Sequence, residues 1–225
     1  MPKRALIEQR PWLLASLVAG ISFYFVKDSH LPGLYQMAWK GAGVALLAVW
    51  AFVRHPGRDA RQIGVVMAFG ALGDVLIEIN MIAGALAFLA GHLVAINLYL
   101  RHHRSVLSSS LKLTGWTLFL LTPIIAFLLP ADRSAAPGVA IYALGLGAMA
   151  AAAWSSSFSR YRVGIGAVLF VASDLLIFAR IGPLSQSVLR DLLIWPLYYF
   201  GQFLICIGVV GTAVERHQQG LASLD

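Results

Sequence analysis

A chain of 225 residues that is 59% hydrophobic and only 12% charged is not a soluble domain, which carries about twice that charged fraction. With a mean hydropathy of +0.78, its composition is that of an integral membrane protein. The net charge of +7 does not indicate nucleic-acid binding, because the basic residues are concentrated in alternate connections between apolar runs. The single cysteine, Cys206, excludes a disulfide framework and a cysteine-based metal site.

Eight apolar runs follow one another along the chain, separated by short connections. Because a backbone amide in hydrocarbon needs a partner within its own segment, we expect each run to be a helix. The first run follows a basic segment, as in a signal peptide. It carries Phe23, Tyr24 and Phe25 where a small-residue cleavage site is expected, and we interpret it as an uncleaved span. The predicted spans are 12–27, 34–53, 62–79, 83–100, 111–129, 138–155, 162–180 and 192–214.

The predicted fold is therefore an all-α polytopic helix bundle with about eight transmembrane helices. We expect one transmembrane domain over residues 1–217 and a short flexible tail over 218–225. Trp195, Tyr198 and Tyr199 are interpreted as an aromatic belt at the membrane interface.

The basic residues predict the orientation of the chain in the membrane. On the side of the N-terminus lie Lys3, Arg4, Arg10, Arg54, Arg58, Arg61, Arg101, Arg104, Lys112, Arg160, Arg162 and Arg216. The opposite side has only Lys27, Arg133, Arg180 and Arg190. This positive-inside bias places both termini in the cytoplasm, and the expected location is the bacterial inner membrane. An odd number of spans would break the alternation.

Several polar side chains lie within the predicted spans, where they are costly and by default functional. They are Lys40, Asp74, Glu78, His92, Ser173, Asp174 and Gln202. At about 1.5 Å per residue, the two aspartates lie near the midplane, and the lysine, histidine and glutamine lie in the outer half. We therefore expect one polar cavity that opens toward the outer half of the membrane. The alternative for each group is a structural ion pair or hydrogen bond, and Glu78 could be a solvated helix end.

Two segments of the chain look alike. "FGALGDVLIEI" contains Asp74 and "LFVASDLLIFA" contains Asp174, and each is followed by a span with a glycine and a polar residue, Gly91-His92 and Gly201-Gln202. A parallel duplication offset by four spans would place the aspartates across a pseudo-twofold axis along the membrane normal. Small residues beside both acids, such as Gly73 and Gly166, allow close helix packing.

Six features together form a family pattern. They are a lysine early in the second span (Lys40), Gly73-Asp74, "FLAGH" ending at His92, Tyr142 with Met149, "GAVLFVASD" ending at Asp174, and "YYFGQFLI" containing Gln202. In these residues the chain resembles the YhhN-type lysoplasmalogenase family, eight-span membrane proteins that cleave the vinyl-ether bond of lysoplasmalogens. It departs from the family pattern at Gly41 and Ala95, which bears on substrate preference.

The resemblance implies an ether hydrolase in which Asp74 and Asp174 are the catalytic acid and base. Two carboxyl groups in unlike environments can serve as proton donor and acceptor, as in glycosidases. Lys40 would keep one of them ionised. The candidates for substrate binding are Lys40, His92, Gln202, Glu78, Ser173 and Tyr142.

The expected partners are a lysophospholipid-like substrate and membrane lipids, and the resemblance implies no cofactor or metal. From the residues alone, Asp74, Asp174 and His92 together could bind a metal ion. Two other functions use the same acids, a small proton-coupled transporter and a lipid-binding membrane protein. Pro123 and Pro196 lie outside the acid-bearing spans, which disfavours a transporter built on broken helices.

Overall fold

The computed structural model describes the backbone of residues 2–222 and the side chains of residues 10–219. Within this part of the chain the protein is all-α, without β-strands, and a π-helical turn (Arg160–Gly164) leads into the seventh helix. The eight helices are α1 (Pro2–Val26), α2 (Gly33–Arg54), α3 (Arg58–Ile79), α4 (Met81–Arg101), α5 (Ser109–Leu128), α6 (Ala136–Ser155), α7 (Ile165–Arg180) and α8 (Val188–Ala222).

The predicted all-α membrane bundle is confirmed. Among the described residues, seven helices, α2 to α8, are long and apolar enough to cross a membrane when the π-helical turn is counted with α7. The described apolar part of α1, Arg10–Val26, is shorter. Helix α8 continues as a helix to Ala222, past the point where the sequence predicts a flexible tail; residues 223–225 lie outside the described backbone. The orientation in the membrane stays a prediction.

The helices are grouped in two compact units. The first comprises residues 1–94 and 206–225, and therefore holds α1 to α3, most of α4 and the C-terminal part of α8. The second comprises residues 95–205 and holds the end of α4, then α5 to α7 and the first part of α8. The single transmembrane domain over residues 1–217 stays a prediction.

A single residue, Asn80, connects α3 to α4. Its backbone N–H donates to the Leu76 carbonyl at 2.8 Å, which ends α3. Its side-chain Oδ1 accepts the N–H of Ala83 at 2.9 Å, which caps the first turn of α4. Asn80 is therefore a turn residue, and the two helices form a tight antiparallel hairpin.

The α3–α4 and α7–α8 hairpins share a contact register. A Cβ added at Gly91 would lie 3.2 Å from the Cβ of Phe69 and 3.5 Å from the Val66 carbonyl oxygen. At Gly201 it would lie 3.5 Å from the Cβ of Leu169 and 2.8 Å from the Gly166 carbonyl oxygen. Val66 and Gly166 precede Asp74 and Asp174, respectively, by the same number of residues. This shared register agrees with the predicted duplication, and the pseudo-twofold axis stays a prediction.

Candidate functional site

Asp174 lies in the second unit, on α7, and is only 6% exposed. The hydroxyl of Tyr142, on α6, donates a hydrogen bond of 2.7 Å to its Oδ2. The Tyr142 ring also packs edge-on against Phe178, with ring centroids 5.9 Å apart. Since the ring is held by packing, the hydroxyl fixes the orientation of the carboxyl group. Only the family resemblance indicated Tyr142, because nothing in the spacing relates residues on different spans.

Asp174 is flanked along α7 by two buried aromatic residues, Phe170 and Phe178, one helical turn away on either side. Phe170 contacts the ring of Tyr198 on α8, with centroids 5.3 Å apart. The carboxyl group therefore lies between aromatic side chains, an environment that the sequence did not reveal.

The predicted aromatic belt on α8 is wrong. Trp195, Tyr198 and Tyr199 are 6%, 5% and 1% exposed, respectively, where an interfacial belt would be exposed. The indole of Trp195 stacks on the ring of Tyr199 at 6.0 Å between centroids. These side chains pack inside the protein, because α8 directs this face toward its neighbours and not toward the membrane surface.

The hydroxyl of Ser173, a predicted substrate-binding group, is engaged within the protein. Ser173 is fully buried and donates to the carbonyl of Ile194 on α8 at 2.9 Å. This hydrogen bond joins α7 to α8 immediately beside Asp174, so the geometry gives Ser173 a structural role.

Gln202 is 3% exposed and lies on α8 in the same unit as Asp174. Ile194 of α8 lies opposite Asp174 of α7, because its carbonyl accepts the hydrogen bond from the neighbouring Ser173. At about 1.5 Å per residue, Gln202 lies roughly 12 Å further along the helix axis. The structure therefore does not bring the Gln202 amide to the carboxyl group of Asp174.

Asp74 and His92 lie in the first unit and are 2% and 4% exposed, respectively. Neither residue is without an interaction partner. Gly84 packs against Ile77 at the turn of the α3–α4 hairpin, and this register places His92 roughly 7.5 Å along the axis from the level of Asp74. Each hairpin thus has a buried aspartate and, further from it along the helix axis, a buried polar residue.

Lys40 has a different partner from the predicted one. Its Nζ lies 2.5 Å from Oε1 of Glu78, and not beside an aspartate. The side chains are 19% and 46% exposed, so the ion pair is partly open. Glu78 follows Asp74 by one helical turn on the same face of α3. The pair therefore lies about 6 Å from Asp74 along the helix axis, toward the end of α3. Glu78 thus lies at the end of α3 with its side chain about half exposed, as expected for a solvated helix end, and it is also the ion-pair partner of Lys40.

The Lys40–Glu78 pair predicts a modest coupling in stability. Replacing Lys40 by methionine and Glu78 by glutamine, singly and together, should give a coupling free energy of about 0.5–1 kcal/mol, because partly exposed ion pairs contribute little. The measurement is unfolding of the purified variants in detergent at low and at high salt, where screening should reduce the coupling. Perfectly additive effects of the two substitutions would contradict the ion pair.

No group of three or more His, Cys, Asp or Glu side chains that could hold a metal ion occurs in the part of the chain that the structure describes. Among the predicted site residues, the structure pairs Tyr142 with Asp174 and Lys40 with Glu78, and Asp74 and His92 also have partners. The single cavity predicted to hold all the polar groups stays a prediction.

Comparison with known protein families gives a match over most of the chain. The family model described as the YhhN family matches residues 35–209, which include all the polar side chains considered above. No curated protein and no solved structure matches the chain.

Proposed function

Since this chain belongs to the YhhN family, we propose that it is a membrane-embedded hydrolase that cleaves the vinyl-ether bond of lysoplasmalogens. The products are a fatty aldehyde and a glycerophospho-alcohol. Asp74 and Asp174 are the acid and the base, and no cofactor takes part. The observation that carries the proposal is the buried carboxyl group of Asp174, whose Oδ2 is held by the Tyr142 hydroxyl.

The chemistry of a vinyl ether needs two proton-transfer groups. A protonated carboxyl group transfers its proton to the β-carbon of the C=C bond, and the electron pair of the ether oxygen stabilises the resulting oxocarbenium ion. Water adds to the α-carbon and loses a proton to the ionised carboxylate. The hemiacetal then collapses: its hydroxyl gives its proton to the carboxylate that donated first, and its C–O bond to glycerol breaks. The alcohol oxygen takes the proton from the other carboxyl group, so both aspartates return to their starting states as the aldehyde is released.

The surroundings of Asp174 support this role in three ways. The Tyr142 hydrogen bond holds the carboxyl group in one orientation, as proton transfer to a carbon atom requires. The buried aromatic neighbours Phe170 and Phe178 surround the carboxyl group with apolar side chains and keep bulk water away from it. The negative charge of an ionised aspartate would stabilise the oxocarbenium ion.

The test is release of aldehyde by the purified protein in detergent. Lysoplasmenyl-ethanolamine should yield aldehyde, whereas the saturated 1-alkyl ether and the 1-acyl lysophospholipid should not, because neither has a vinyl ether to protonate. In deuterated water the aldehyde should carry one new deuterium on the carbon next to the carbonyl group. Absence of aldehyde with folded protein would contradict the proposal and favour a proton-coupled carrier, which a proton-flux assay in vesicles would test.

Replacing Tyr142 by phenylalanine should lower kcat about 10- to 100-fold, because a hydrogen bond to a charged group contributes about 1.5–3 kcal/mol. KM should change less, since the ring and its packing on Phe178 are retained. The measurement is steady-state aldehyde release. Tyr161→Phe is the matched control, because Tyr161 is 79% exposed. An unchanged kcat in Tyr142→Phe would exclude this role of the hydroxyl.

A further inference from the structure

A cavity of about 310 Å³ lies in the first unit among α1, α2 and the C-terminal part of α8. Its volume is within the range of small-ligand sites, about 300–1,000 Å³. Its lining includes Leu13 and Arg10 from α1, and Trp50 and Arg54 from α2. None of these residues belongs to the proposed catalytic site.

The cavity has an apolar end and a charged end. Arg10 precedes Leu13 by about one turn on α1, and Arg54 follows Trp50 by one turn at the end of α2. Glu215 follows the lining residues Val210 and Val214 on α8. On each helix the apolar side chain thus lies deeper in the bundle, and the charged one lies nearer the end. The result is an apolar floor with a rim of two guanidinium groups and one carboxylate.

The charges of this rim match a zwitterion. A guanidinium group binds phosphate through parallel N–H donors, and two of them exceed the single negative charge of a phosphodiester. The carboxylate of Glu215 would repel a ligand whose only charge is a phosphate. The same carboxylate attracts an ammonium group. A phosphoethanolamine headgroup carries both charges. The acyl chains of a phospholipid with this headgroup would begin along Leu13 and Trp50.

We propose that this cavity binds a membrane phospholipid with a phosphoethanolamine headgroup, with the phosphate at Arg10 and Arg54 and the ammonium at Glu215. The inference does not rest on the proposed hydrolase activity, because it concerns different residues and a bound lipid in place of a reaction. The headgroup would occupy the cavity of about 310 Å³ and contact α1, α2 and α8, and most of the acyl chains would lie outside it.

The experiment measures lipid binding to the full-length protein, purified and delipidated in detergent, by native mass spectrometry. Phosphatidylethanolamine should bind more tightly than phosphatidylcholine, whose ammonium has no N–H donors, and than phosphatidylglycerol, which has no ammonium. Arg10→Gln and Arg54→Gln should each weaken binding of phosphatidylethanolamine about tenfold. Glu215→Gln should remove its advantage over phosphatidylcholine.

Arg58→Gln is the matched control, because Arg58 is an exposed arginine at the same end of the helices that does not line the cavity. Equal weakening by Arg58→Gln would overturn the proposal, since attraction of any basic surface to lipid would then explain the result. Tighter binding of phosphatidylglycerol would also overturn it. Soluble glycerophosphoethanolamine should not compete; if it does at equal concentration, the ligand is a soluble metabolite and not a lipid. Should Arg54→Gln fail to fold, Arg10→Gln and Glu215→Gln decide the outcome.

Discussion

Replacing Asp174 by asparagine is expected to lower the rate of aldehyde release by about a thousandfold, and replacing Asp74 by asparagine should have a similar effect. Positioned proton donors and acceptors contribute factors of about 10² to 10⁴. Asparagine keeps the shape of the side chain and can still accept the Tyr142 hydrogen bond, but it cannot donate or take up the proton. Both side chains are almost fully buried, so bulk water cannot easily replace them.

The measurement is kcat for purified variants that elute and unfold like the wild-type protein. Asp191→Asn is a suitable control, because Asp191 lies in the first turn of α8 with its side chain 53% exposed, paired with Arg190. We expect this variant to retain the wild-type kcat. Wild-type rates in either Asp74→Asn or Asp174→Asn would refute the assignment of that residue as acid or base. Loss of activity in both, with folding intact, would agree with the proposed chemistry.

Alanine at Gly166 or Gly201 is expected to lower the free energy of unfolding by about 2–3 kcal/mol, because it overfills a close helix contact. A Cβ at Gly166 would lie 2.7 Å from the carbonyl oxygen of Gly201 and 3.0 Å from the backbone nitrogen of Ile205. A Cβ at Gly201 would lie 2.8 Å from the carbonyl oxygen of Gly166 and 3.1 Å from the backbone nitrogen of Phe170. Backbone atoms cannot rotate aside, so α7 and α8 must separate. That movement would also strain the hydrogen bond from Ser173 to Ile194.

The double variant Gly166→Ala/Gly201→Ala should lose less free energy of unfolding than the two single variants lose together, because the first alanine has already separated the helices. Unfolding in detergent, followed by helix content, measures these free energies. Gly138→Ala on α6 is the control, because nothing lies within 4 Å of the added Cβ, and it should be neutral or slightly stabilising. Equal stability of Gly166→Ala and Gly138→Ala would contradict the close contact between α7 and α8.

The sequence by itself determined the fold class, the positions of the helices and the buried acids. A run of about 20 apolar residues must form a helix in hydrocarbon whatever surrounds it, so local composition suffices. For this reason the predicted spans agree closely with α2 to α7. Asp74 and Asp174 stood out because a carboxyl group in such a run is rare and costly.

Only the tertiary structure decided which side chains meet. It paired Lys40 with Glu78, placed the Tyr142 hydroxyl on Asp174 and buried Trp195 among the aromatic residues of its unit. These contacts depend on how each helix is rotated and how far it is shifted along its neighbour. In a soluble protein the polar face of a helix reveals its rotation, but in a membrane protein the lipid-facing and the buried faces are both apolar. The sequence therefore located the polar groups along the chain without revealing the partner of each.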